Sequence, residues 1–168
     1  NDGATINLSG DLNQTVGTLS VALGSTQNPL INATGTANVG GTLEITGFTT
    51  GGQTAFRASD LSSTAYPIIR AANINGSVPA FSASTATDYV LITAYSNATE
   101  FGVNLALAWT ATDPSAKVGD FTLTNATDTF DSDIVLADQG GVTSGWNGTT
   151  LNKSGQGLLI LSAINTYT

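Results

Sequence analysis

The chain of 168 residues has no cysteine, no histidine and no methionine. Without His or Cys it cannot build a Ser-His-Asp triad, a cysteine nucleophile or an ordinary zinc site. Charge is also scarce: 10% of residues, against a usual quarter. The four basic residues, Arg57, Arg70, Lys117 and Lys153, are scattered through a chain of net charge -8. Nucleic acid needs clustered Lys and Arg to neutralise phosphate, so no nucleic-acid partner is expected. No apolar run approaches the roughly 18 residues of a membrane span. The lack of an initiator Met leads us to expect a processed N-terminus, as removal of a secretory signal would leave.

Small polar residues fill the space, with 27 Thr, 15 Ser, 14 Asn and 19 Gly. Apolar residues still make up 40%, and they fall in period-two runs, which argues for a folded β domain and against disorder. A surface hydrated by hydroxyls and amides would also be indifferent to acid, because carboxylates lose their charge below about pH 4.

The first dozen residues set the theme. Ala4, Ile6, Leu8, Gly10 and Leu12 share one face, while Thr5, Asn7, Ser9, Asp11 and Asn13 share the other. The apolar parity then changes at Leu19, Val21 and Leu23, so Asn13 to Gly17 reads as a bend, a bulge or a linker. Leu43 and Ile45 mark a further strand. Tyr89 to Tyr95 is apolar on both faces and reads as central. Phe101 to Ala111 alternates most cleanly and reads as one long strand. Phe121, Leu123 and Ile134 to Leu136 start others. Gln139 to Gly157 reads as a Gly-rich loop, and Leu158 to Tyr167 as a buried closing strand. No helix of 3.6-residue period and no repeat is evident. Eight to ten short strands predict an all-β fold, a jelly-roll or immunoglobulin-like β-sandwich. Residues 1–14 would form an N-terminal donor strand and connector, and 15–168 a single domain.

Asn-x-Ser/Thr occurs at Asn7, Asn13, Asn32, Asn75, Asn97, Asn125, Asn147 and Asn152. Chance would give about three or four in a chain this rich in Ser and Thr, so N-glycosylation on an extracellular route is expected. Other chemistry is thin. Asp128, Asp131, Asp133 and Asp138 could offer oxygens to calcium, but the EF-hand spacing is absent and a solvated acidic loop is the simpler reading. Glycosidase carboxylates have few candidates, with only Glu44 and Glu100 beside ten Asp. Trp109, Tyr89 and Tyr95 could make a sugar platform, yet their apolar neighbours favour core packing. Lys117 and Lys153 could form amide cross-links. No enzyme activity, cofactor or metal is expected.

A terminal strand with one dry face can complete a neighbour's sheet. With its expected processed start, Ile6-Leu8-Gly10-Leu12 strand, all-β body and many sequons, the chain resembles the glycosylated, donor-strand-linked surface filaments of archaea, the thread subunits. A weaker likeness runs to camelysin-like biofilm matrix fibres. The resemblance implies an extracellular homopolymer, with Ala4, Ile6, Leu8, Gly10 and Leu12 inserted into the next subunit, used in adhesion or biofilm formation. A monomeric cell-surface or carbohydrate-binding β-sandwich module is the alternative.

Overall fold

The fold comes from a computed structural model, which describes residues 4–23, 28–48, 55–61, 65–76, 80–83 and 87–168. In chain order its strands are β1 (Ile6–Leu8), β2 (Leu12–Gln14), β3 (Thr18–Leu23), β4 (Ile31–Ala33), β5 (Thr36–Val39), β6 (Thr42–Phe48), β7 (Ala55–Arg57) and β8 (Ala65–Arg70). They continue with β9 (Asn73–Asn75), β10 (Ala80–Ala83), β11 (Val90–Ser96), β12 (Glu100–Leu107), β13 (Asp120–Thr122), β14 (Thr129–Ser132), β15 (Asn152–Ser154) and β16 (Leu158–Leu161). One short helix, α1 (Ala58–Leu61), follows β7. The fold is all-β. The chain divides into two compact units, one of residues 1–52, 64–86 and 92–104, the other of 53–63, 87–91 and 105–168.

The first unit is a stack of coils. Three strands make each turn of the chain, and each strand lies parallel to its counterpart in the next turn. Ile6 faces Ile31, Leu12 faces Ala37 and Thr18 faces Thr42. One turn on, Ile31 faces Ile69, Thr36 faces Asn73 and Thr42 faces Ala80. This is the arrangement of a parallel β-solenoid. Beyond β8 the antiparallel β12 joins the sheet, with a bulge between Phe101 and Gly102, and β11 lies next to β12.

The register corrects the expectation that the chain has no repeat. Ile6-Asn7-Leu8-Ser9-Gly10 stacks on Ile31-Asn32-Ala33-Thr34-Gly35, and Gly17-Thr18-Leu19 on Gly41-Thr42-Leu43. It also corrects the sandwich. Jelly-roll and immunoglobulin-like sheets pair antiparallel neighbours, whereas these coil-to-coil pairings are parallel. Period-two alternation is common to both, because it records only that one face of a strand is dry. In the second coil the inward side chains Ile31, Ala33, Ala37, Val39, Leu43 and Ile45 are buried, as are Ile69, Phe101 and Val103 nearby.

The second unit uses the same device. β13 runs parallel to β15 with Asp120 opposite Asn152, and β14 lies between β7 and β16 with Thr129 opposite Ala55 and Leu158. The last residues keep this register without forming a strand. Ser162 N–H donates to Ser132 O at 3.2 Å, and Thr166 N–H to Leu136 O at 2.9 Å. Tyr89, Phe121 and Phe130 form an aromatic cluster with centroids 4.6–5.9 Å apart. The Trp109 indole is fully buried, and its N–H donates to Ala137 O at 2.8 Å.

Several strand expectations shift. The long strand ends at Leu107, and Ala108–Thr110 turns as a 3-10 helix. The stretch expected to be central, Tyr89 to Tyr95, supplies β11, which sits half-exposed at a sheet edge. Ile134 to Leu136 forms no strand. The closing stretch is not buried: β16 is an edge strand with Leu158 57% exposed. Asn13 to Gly17 is part strand and part bend: Asn13 and Gln14 belong to β2 and pair with β5, and the chain bends at Val16 and Gly17.

Tight coil corners should govern stability. Gly41 has φ +81°, and a Cβ there would press on Gly17 O, while a Cβ at Gly10 would meet nothing within 4 Å. We therefore expect Gly41→Ala to cost more than about 1 kcal/mol in urea unfolding, with Gly10→Ala close to neutral.

Candidate functional site: the open face of the first coil

The strands β1, β2 and β3 each lie at the edge of their sheet. One edge of each is taken by the second coil. Ile6 N–H donates to Leu30 O at 2.8 Å, Thr34 N–H to Leu8 O at 3.0 Å and Gly40 N–H to Gln14 O at 2.5 Å. The other edge of each has no strand partner among the described residues.

The five expected donor residues lie on this coil. Ile6 is 60% exposed, Leu8 and Leu12 are half-buried, and Ala4 and Gly10 are exposed. Their counterparts one coil deeper, Ile31, Ala33 and Ala37, are buried. The second set has a coil on each side, the first a coil on one side only. Leu19 and Val21 continue the half-buried set along β3. Their alternation is legible in the sequence, but the donor segment expected there ends at Leu12 and leaves these two out. As β1 is already paired along its length with β4, it offers a neighbour its outer edge.

The opposite, outward positions carry rows of amides. Asn32 Nδ2 donates to Asn7 Oδ1 at 3.2 Å, Asn38 Nδ2 to Asn13 Oδ1 at 2.7 Å and Asn75 Nδ2 to Asn38 Oδ1 at 3.4 Å. The Ser20 hydroxyl donates to Glu44 in the same manner. Side-chain ladders of this kind reward the in-register stack, since a one-residue slip would turn the amides inward and the apolar set outward.

The sequons therefore fall into two settings. Asn7, Asn13, Asn32 and Asn75 stand in amide rows, whereas Asn97, Asn125, Asn147 and Asn152 lie outside them. Seven are exposed and Asn32 is half-exposed. Asn97 Oδ1 accepts the N–H groups of Thr99 and Glu100, both at 2.9 Å. The amide nitrogens of Asn125, Asn147 and Asn152 donate to Asp128, to Thr150 Oγ1 and to Asp120 Oδ1 respectively.

The remaining candidates have structural partners. Asp133 accepts from the N–H and hydroxyl of Ser59, at 2.8 and 2.6 Å, Asp131 from Ser162 Oγ at 2.6 Å, and Asp138 from Thr168 N–H at 2.8 Å. Burial pulls the Asp133 carboxyl upward, but the Ser59 bonds and the nearby Arg57 charge outweigh it and hold it below the usual range. Among the described residues no three acidic side chains gather to hold a metal. Trp109 and Tyr89 are core residues, and Tyr95 is half-buried. Burial, then the Asp128 and Asp88 charges, push the Tyr89 phenol up to about 12. Lys117 Nζ donates to Gln139 Oε1 and Gly140 O, and Lys153 Nζ to Gly155 O. Trp146, with Asp120, Ser144, Asn147 and Asn152, lines an open hollow. Among the described residues no helix is long and apolar enough to cross a membrane.

Compared with family models, curated proteins and solved structures, the chain matches none of them.

Neighbouring strands are about 4.8 Å apart, too close for bulky sugars on adjacent row positions. In an N-glycosylating secretory host, peptide mass mapping should find Asn97 modified at higher occupancy than Asn32. Full occupancy of Asn7 and Asn32 on the same molecules would contradict the row.

Proposed function

We propose that the chain is a structural subunit of an extracellular filament, a homopolymer that serves in adhesion or biofilm formation and carries N-linked glycans. The observation that supports this reading is the open face of the first coil. Three strand edges and a set of half-exposed apolar side chains lie together there, with the geometry that the chain itself uses between coils. Charge is sparse on that face: Asp11 is the single ionisable side chain from Ala4 to Leu23. Natural proteins protect free edges with Lys, Pro or bulges; β1 to β3 carry no Lys and no Pro, and the one register shift in their pairings falls late in β3, between Val21 and Ala22.

Magnitudes bear on how much of the face is used. Taking an aliphatic side chain from full exposure to full burial contributes roughly 1.5–3 kcal/mol, so Ile6, 60% exposed, has about 1–2 kcal/mol to gain and the half-buried Leu8 and Leu12 up to about 1 kcal/mol each. Their sum only touches the lower end of the cost of association, about 4–15 kcal/mol. Adding Leu19 and Val21 brings the gross apolar gain to roughly 3–6 kcal/mol, and the edge hydrogen bonds of all three strands add about 1 kcal/mol each. A filament joined by the whole coil is therefore favoured over one joined by a single strand. The reading rests on the architecture of the open face.

Lysines placed on the open face test the reading. Ile6→Lys with Leu19→Lys should abolish the polymers seen by negative-stain microscopy, while the unfolding midpoint stays close to that of the parent. A parent protein that remains monodisperse at high concentration would refute it.

A further inference from the structure

We infer that the open face of the first coil binds the face formed by β15, β16 and the final residues of a second copy of this chain, head to tail. This rests on the filament reading above. The last coil is the mirror case of the first. β15 and β16 are both edge strands, each paired on one side, to β13 and β14. Leu158 is 57% exposed and Ile164 88%, while the first coil exposes Val16 at 81%.

One observation favours this partner over a two-fold pairing of first coil with first coil. The coil-to-coil pairings are parallel in both units, and a head-to-tail contact continues that pattern. A two-fold contact would set β1 antiparallel to its own copy, which no coil pairing here does.

The absence of native cysteine makes the test direct. Val16→Cys and Ile164→Cys are made separately on the full chain, one with a size tag, and treated with a short bismaleimide. The equimolar mixture should give the mixed dimer at least tenfold more than either variant gives dimer alone. Cross-linking of Val16→Cys to itself as efficient as in the mixture overturns the head-to-tail partner and leaves assembly standing. Absence of any cross-link, with monomers throughout by light scattering, overturns both.

Discussion

Parallel stacking of one coil on the next is the constraint from which the rest of the first unit follows. Each strand is only three to seven residues long in β1 to β6 and would not persist by itself. It persists because its backbone pairs with the coil beside it and its inward side chains pack on their counterparts. Ile31 and Ala37 are buried because coils lie on both sides of them; Ile6 and Leu12 are not, because a coil lies on one side only. The outward amides reinforce the same register through the rows of Asn7 and Asn32 and of Asn13, Asn38 and Asn75. Composition then becomes intelligible. Thr, Asn and Gly suit strands whose outer faces bond to each other and whose corners need left-handed backbone, as at Gly17 and Gly41.

The same constraint creates the open face proposed for assembly. In a repeating stack any coil can serve as the template for another, and terminal coils need a polar outer face if they are to remain unpartnered. The first coil lacks that protection, and so does β16. Assembly is then an extension of folding: the forces that hold β4 against β1 would hold a second molecule against β1's other edge. The donor segment inferred from Ala4 to Leu12 becomes part of a larger proposed surface that also includes the rest of β2 and β3.

Much of this was legible in the sequence, and the illegible part has a physical reason. Strand positions and the wet and dry faces of Ile6–Leu12 could be read, because alternation reports burial on one side. Strand direction could not, since a parallel coil and an antiparallel hairpin share that alternation. The repeat was obscured by substitutions at inward positions, Leu8 over Ala33 and Leu12 over Ala37, and by a one-residue change in register between β2 and β3. Its third turn is further displaced by the residues between β6 and β8. Leu158 to Leu161 looked like core because four aliphatic residues adjoin, but hydrophobicity alone does not say whether a neighbour is supplied by the same molecule. The sequons were legible as motifs, whereas the rows that divide them depend on residues 25 positions apart meeting side by side.

The most direct test of coil-face assembly is amide hydrogen exchange of β1, β2 and β3 measured across a concentration series. The account predicts that amides of Ile6–Leu8, Leu12–Gln14 and Thr18–Leu23 gain protection as polymers form, together with those of β15 and β16, while β4 to β6 change little. Polymer formation with unchanged exchange in all three first-coil strands would contradict it.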